Sequence, residues 1–186
     1  MMTTVHSRRL TWGTALALLM GLGVVTVGAD DWEQWRGAER LGVWHEGGIL
    51  ESFPDDGLSV RWRTPLRSGY AGPAVSAGRV FVVDWLEDPE SRTLDGTERA
   101  VALDEASGVV LWTHKWQTSY RMLMASYAVG PRATPTVDGD RVYVVGATGR
   151  LFCLDVETGR VVWEKDYVAD YDTNVPTWGI ASAPLV

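Results

Sequence analysis

The sequence predicts an all-β chain built from repeated four-stranded antiparallel sheets, and three observations carry that prediction. First, an eleven-residue phrase occurs twice: residues 102–112 read A-L-D-E-A-S-G-V-V-L-W and residues 153–163 read C-L-D-V-E-T-G-R-V-V-W. Asp104, Ser107, Gly108 and Trp112 thereby match Asp155, Thr158, Gly159 and Trp163, each pair 51 positions apart. Second, the echo extends outward. Residues 71–75, 133–137 and 182–186 share a small-residue and proline pattern, and Arg79-Val80-Phe81-Val82-Val83 is matched by Arg141-Val142-Tyr143-Val144-Val145. Third, the runs inside each copy are short, rich in Val, Tyr and Phe, and separated by Gly and Asp turns, with no convincing helical apolar period after the first 29 residues. A fixed period near fifty residues marks a repeat architecture in which each copy is one supersecondary unit. Four short strands per copy make that unit a β-propeller blade and not a turn of a helical solenoid.

The elements follow in chain order. Residues 1–29 read as an export signal: Arg8 and Arg9 form a short basic start, residues 10–27 are uncharged and mostly apolar, and Val27-Gly28-Ala29 offers small residues for cleavage. Retained, the same run would anchor the chain in a membrane, which is the single route to a membrane contact in this sequence. Ser7-Arg8-Arg9 also resembles a twin-arginine leader, with Thr11 standing where a large apolar residue is expected. Residues 30–58 form an N-terminal extension. Residues 59–64 include Trp62, which lies 50 positions before Trp112, and read as a strand completing the last blade of a closed ring. The first blade is expected at residues 73–115, the second at 135–165, and residues 182–186 open a third. Rings of this kind close with about 4–8 blades. The chain therefore reads as the amino-terminal part of a larger propeller, an incomplete ring whose first partners are the remaining blades.

The phrase itself has a mechanical reading. Asp104 and Asp155 can accept hydrogen bonds from the backbone a few residues on, Ser107 and Thr158 can add a hydroxyl, and Gly108 and Gly159 suit the positive φ of a tight corner. Trp112 and Trp163, four residues later, would leave the outer strand at a fixed angle and bury against a neighbouring blade. These eight residues are expected to be structural.

Composition narrows the function classes. The formal charge is −7, and no acid lies in the first 29 residues, so loss of Arg8 and Arg9 with a cleaved signal would make the remainder still more acidic. Nucleic-acid binding needs clustered Lys and Arg, and no basic run occurs, so nucleic acid is not a partner. Cys153 is the single cysteine and takes the small apolar place that Ala102 fills in the first copy, which excludes an intrachain disulfide and points to a buried side chain.

The phrase A-x-D-x-x-S-G-x-x-x-W at residues 102–112, with its twin at 153–163, resembles the tryptophan-docking motif of pyrroloquinoline-quinone-type (PQQ-like) propellers. Trp32-Glu33-Gln34-Trp35-Arg36-Gly37 resembles the opening of exported bacterial proteins with such repeats, and residues 69–75 and 130–135 look similar to that group. The resemblance covers nearly all of residues 32–186. It implies a β-propeller. It leaves activity open, because the repeat is shared by dehydrogenases and by non-catalytic scaffold propellers. For a redox member it implies pyrroloquinoline quinone with calcium as cofactor. This chain departs from the pattern in two places: it lacks the adjacent cysteines often found beside that quinone, and it has no cysteine after the signal to carry the lipid common among outer-membrane assembly propellers.

Three segments interrupt the repeat and are the places for function, since long loops on a rigid scaffold carry it most often. Residues 86–98 hold an insertion of about eleven residues, and residues 116–131 and 167–180 are long connections entering the next blade. Arg132 precedes Pro135 as Tyr70 precedes Pro73. Facing a central funnel it would hold quinone carboxylates or another anion; otherwise it makes an ion pair with a neighbouring acid. Trp178 is either a stacking face for a planar ligand or inter-blade packing. Asp166, Asp170 and Asp172, and Asp84, Glu87, Asp88 and Glu90, are acidic groupings without the spacing of a known calcium loop. His45 and His114 have no ligating companions, and no catalytic residue can be named from spacing. The expected protein is an exported, periplasmic or extracellular binding or scaffold module for a protein, peptide or carbohydrate. The alternatives are part of a quinone-dependent alcohol or sugar dehydrogenase, or a silent piece that completes a larger assembly.

Overall fold

A computed structural model describes residues 30–126 and 129–186; the signal read at 1–29 lies outside the described residues. The first sheet contains β1 (Ala74–Ser76), β2 (Arg79–Glu87), β3 (Asp95–Asp104) and β4 (Val110–Ser119). The second contains β5 (Thr136–Asp138), β6 (Arg141–Val145), β7 (Arg150–Asp155) and β8 (Val161–Asp166). Each is a simple antiparallel meander in sequence order, so every strand neighbours the one before it. The chain is all-β apart from a short turn of 3-10 helix at Ala38–Arg40 and one short helix, α1 (Tyr167–Tyr171), capped by Asp166, whose carboxylate accepts from the Val168 and Ala169 amides. No helix among the described residues is long and apolar enough to cross a membrane.

Period-2 alternation decides how the sheets meet. Phe81 and Val83 of β2, Ala100 and Ala102 of β3 and Trp116 of β4 share one face of the first sheet, and they bury against Val142, Val144, Phe152 and Leu154 of the second. The opposite face of the first sheet, with Val80, Val82, Val101 and Leu103, is covered by Trp62. The layers therefore run from the segment carrying Trp62, through the first sheet, to the second. Tyr143 and Trp163 lie on the far face of the second sheet, with ring centroids 6.0 Å apart. These are two blades of an unclosed propeller.

The repeated phrase forms the same turn twice. Asp104 Oδ1 accepts from the Ser107 amide at 2.8 Å and its hydroxyl at 2.5 Å, and Asp155 Oδ1 accepts from the Thr158 amide at 2.9 Å and hydroxyl at 2.6 Å. Those bonds hold both carboxyls below the ordinary carboxylate range. Gly108 and Gly159 close the corners at φ of 71° and 68°, a region that L side chains resist. After each turn the pairing slips by one residue, between Ala102 and Leu103 and again between Cys153 and Leu154, so both outer strands carry a bulge just before their tryptophan. A bulge bends its strand and re-aims the side chain beside it.

The tryptophans reach from one layer to the next turn. The Trp112 indole covers Gly159, where a Cβ would lie 2.5 Å from the ring, and its Nε1 donates to the Val156 carbonyl at 2.8 Å. Trp62 repeats this on Gly108, donating to the Glu105 carbonyl at 2.8 Å, and the Thr64 hydroxyl adds a bond to the Gly108 carbonyl at 2.6 Å. Residues 59–64 join neither sheet as a strand. Trp163 differs from the burial expected of it. It is 41% exposed, because no third turn of this kind lies beside it among the described residues.

The segment 86–98 departs in part from its expectation as an inserted loop. Its two ends prolong the β2–β3 hairpin, with Trp85 paired to Glu98 and Glu87 to Gly96, and residues 88–94 remain as a turn outside the ladder.

Trp112→Ala should destabilise the chain by about 3–5 kcal/mol, the usual range for emptying a large aromatic site, whereas Trp163→Ala should cost less than about 1 kcal/mol, as for other exposed positions. Urea unfolding followed by circular dichroism reads both. Equal losses would place the indole's contribution inside its own sheet instead of across the junction.

Candidate functional site

The three segments that interrupt the repeat come together at one end of the two sheets. Buried Trp85, Tyr120, Leu123 and Ala147 form a small apolar cluster, against which Leu94, Val129 and Val175 pack, one from each segment. The Met124 amide donates to the Thr177 carbonyl and the Ile180 amide to the Ala147 carbonyl, each at 2.8 Å, so the second and third segments are tied down by backbone bonds.

Beneath this cluster lies a carboxylate that sequence reasoning missed. Glu98 falls in register with Ala100 and Ala102 on β3 and so points into the face between the sheets, where it is completely buried. Three donors meet it: the Tyr120 hydroxyl at 2.5 Å and the Ala147 amide at 2.9 Å on Oε1, and Trp116 Nε1 at 2.6 Å on Oε2. Ala147 belongs to the second blade, so the carboxylate bonds the two blades together. A Cβ on Gly146 would lie 2.3 Å from Glu98 Oε2, so glycine is required there for the approach. Burial pushes the Glu98 carboxyl above its ordinary 4.5, against the pull of its three donors and of the Arg132 charge. Burial, with the Glu98 charge behind it, also drives the Tyr120 phenol far above its usual value, which keeps it a neutral donor. The signal in the sequence was parity: a charged residue two positions before Ala100, on the apolar face of a strand.

Arg132 belongs to the same corner. Its guanidinium lies 5.1 Å from the Tyr70 ring and 5.7 Å from the Tyr120 ring, with Nη1 donating to the Gly130 carbonyl at 2.5 Å. Trp178, on the third segment, is 53% exposed, and the glycine after it seats against Ala147. Arg132 and Trp178 thus stand at one loop end, Arg132 within the charge field of Glu98.

The acidic groupings do not converge. Asp166 caps α1, Asp170 accepts from the Asp166 amide, and Asp172 closes the helix in a left-handed conformation. Asp84 is buried on the other face of the first sheet, held by Nε and Nη2 of Arg99 and by the Arg67 amide. Asp88 shapes the hairpin turn by accepting from the Glu90 amide. Among the described residues no group of three His, Cys, Asp or Glu side chains can hold a metal ion. The guanidinium that would meet a quinone's carboxylates lies against the Tyr70 and Tyr120 rings.

Glu98 gives a pH signature. The folded protein holds its proton more tightly than the unfolded chain, so the stability it contributes is fullest below 4.5 and is lost as pH rises through the raised value. Glu98→Gln should flatten that fall and cost roughly 1–3 kcal/mol, since the Trp116 N–H would face an amide NH2 with no acceptor. Urea unfolding across a pH series checks both; an unchanged slope would place the proton elsewhere.

A family model described as outer membrane protein assembly factor BamB matches residues 53–119 and 96–178. Among curated proteins, outer membrane protein assembly factor BamB of Aliivibrio fischeri is 34% identical over 62 residues, 33% of this chain and 16% of that protein. Quinohemoprotein alcohol dehydrogenase ADH IIB of Pseudomonas putida is 33% identical over 67 residues, 36% of this chain and 10% of that protein. The structure of BamB from Moraxella catarrhalis is matched at a TM-score of 0.30 and 20% identity, covering 59% of this chain and 38% of that one. The chain thus spans well under two thirds of each of these relatives.

Proposed function

The chain belongs to the PQQ-like repeat family described as outer membrane protein assembly factor BamB, and on that premise we propose that it serves as an exported binding or scaffold module that holds a protein partner. In this reading the described blades are part of a larger propeller in the periplasm or outside the cell, residues 59–64 belong to its closing blade, and residues 182–186 begin the next. The Asp–Ser/Thr–Gly–Trp phrase serves as the tryptophan-docking motif between blades. One observation carries the non-catalytic reading. The loop end, where a ligand would reach into the blades, is filled by the chain's own groups, with Arg132 spread over Tyr70 and Tyr120 beside buried Glu98. What the loop end presents outward is Tyr70, Met122 and Trp178, all exposed. Aromatic residues and methionine are the types enriched where proteins meet.

The second reading, part of a quinone-dependent alcohol or sugar dehydrogenase, draws on the similarity to the Pseudomonas putida enzyme. It requires Arg132 to exchange Glu98 and the phenol rings for a ligand's carboxylates.

Two experiments separate the readings. A photo-crosslinking amino acid at Trp178 or Met122, used in the producing cell, should yield a protein adduct of one defined mass, identified by mass spectrometry, and none from the same group at exposed Phe53. Calorimetry with pyrroloquinoline quinone and calcium chloride should give no binding heat. Binding at micromolar or tighter Kd, weakened about ten- to hundredfold by Arg132→Ala through loss of a charge-assisted contact, would overturn the scaffold reading in favour of the enzyme.

A further inference from the structure

Residues 31–40 do not trail away from the sheets. Trp32 pairs antiparallel with Val75 of β1, its amide donating to the Val75 carbonyl at 2.8 Å and its carbonyl accepting from the Val75 amide at 2.9 Å. The very next residue serves the other sheet: the Glu33 carbonyl accepts from the Val137 amide of β5 at 2.8 Å. Asp31 fastens the near end, its Oδ2 accepting from the Ser76 hydroxyl at 2.8 Å and the Ala77 amide at 3.1 Å. Arg40 fastens the far end, with Nε on Gln34 Oε1 at 2.9 Å and Nη2 on the Pro184 carbonyl. The same carbonyl accepts from the Thr136 hydroxyl of β5 at 2.8 Å. Pro184 holds in the third copy of the repeat the place that Pro73 and Pro135 hold in the first two.

β1 and β5 are each the first strand of their sheet and are bonded within it on one side only. Adjacent residues of an extended chain advance only about 3.3–3.6 Å, so two edges served by Trp32 and Glu33 must converge. A converging pair of unpaired edges is a place where a foreign strand adds itself. The buried Gly37 sets the segment's course: it takes φ of 68°, and a Cβ there would lie 2.7 Å from the Trp32 ring.

We propose that residues 31–40 are a strap, which begins extended at Trp32 and Glu33 and turns back through Gly37 to Arg40, and which ties the converging first-strand edges of successive repeats together and closes those edges to any added strand or ligand. The strap joins the sheets independently of the tryptophan contacts and of Glu98, and it does not rest on the partner reading above. It also gives a task to Trp32-Glu33-Gln34-Trp35-Arg36-Gly37, the one conspicuous phrase of the sequence that lies outside the repeat.

Hydrogen exchange read residue by residue by NMR tests it in two variants of the whole chain. Gly37→Ala drives a methyl into the Trp32 ring, and Arg40→Ala releases the far end, while neither touches a strand. In Gly37→Ala the Val75 and Val137 amides should exchange about tenfold or more faster while the β2, β3, β6 and β7 amides keep their protection, the pattern of a segment that opens ahead of the core. Arg40→Ala should show the same pattern at Val137, more weakly. Unchanged exchange at Val75 and Val137 in both variants overturns the strap. Protection lost evenly over both sheets in both variants also overturns it, because the segment would then be part of the core.

Discussion

The indole of Trp112 lying on the Gly159 turn sets the geometry on which the junction between the sheets depends. It requires a turn without a side chain at Gly159, hence a glycine at positive φ, and a backbone carbonyl presented by the same turn, that of Val156, hence the Asp155–Thr158 bonds that fix the turn. With that contact made, the faces carrying Phe81 and Phe152 meet, and the apolar core between them follows from ordinary strand alternation. The chemistry is local. One ring, one glycine and one carbonyl specify the junction, and the same three parts recur at Trp62 and Gly108.

At the opposite end of the sheets the junction is polar. Glu98 brings a carboxylate into the buried space between the sheets, and it is tolerated there because Tyr120, Trp116 and Ala147 supply three donors. A buried polar group satisfied only when both blades are in place penalises any other relative placement of them. The indole N–H on the Val156 carbonyl fixes the second blade at the turn end, and the carboxylate's bond to the Ala147 amide fixes it at the loop end.

Much of this was legible in the sequence. The repeat, the strand count, the all-β class and the family were read from residue patterns spaced at a fixed distance, because those patterns encode turns whose geometry is settled within five residues. What was not legible depends on the third dimension. The insertion at 86–98 gives the same composition whether it forms a loop or lengthens a hairpin; pairing with the neighbouring strand decides, and it lengthens the hairpin as far as Glu87 opposite Gly96 and leaves residues 88–94 as the turn. Arg132 was singled out by its place before Pro135, but its company of Tyr70, Tyr120 and Glu98 comes from residues up to 62 positions away. Trp163 was read as its twin's equal, and its exposure shows that a docking residue is only half of a contact.

The two ends of the molecule obey different rules of length. From Asp104 to Gly108 and from Asp155 to Gly159 is four positions, and from each glycine to its tryptophan is four more. A single added or lost residue at that end would turn the indole away from its seat. At the other end the hairpins and connections differ freely between the copies, and the sheets still meet. Length change is therefore unevenly tolerated: the turn side keeps the same spacing in both copies, and the loop side differs between them. Two descendants of such a chain could exchange their loop-side segments wholesale and keep the same scaffold, which makes that side the natural place to graft a new specificity.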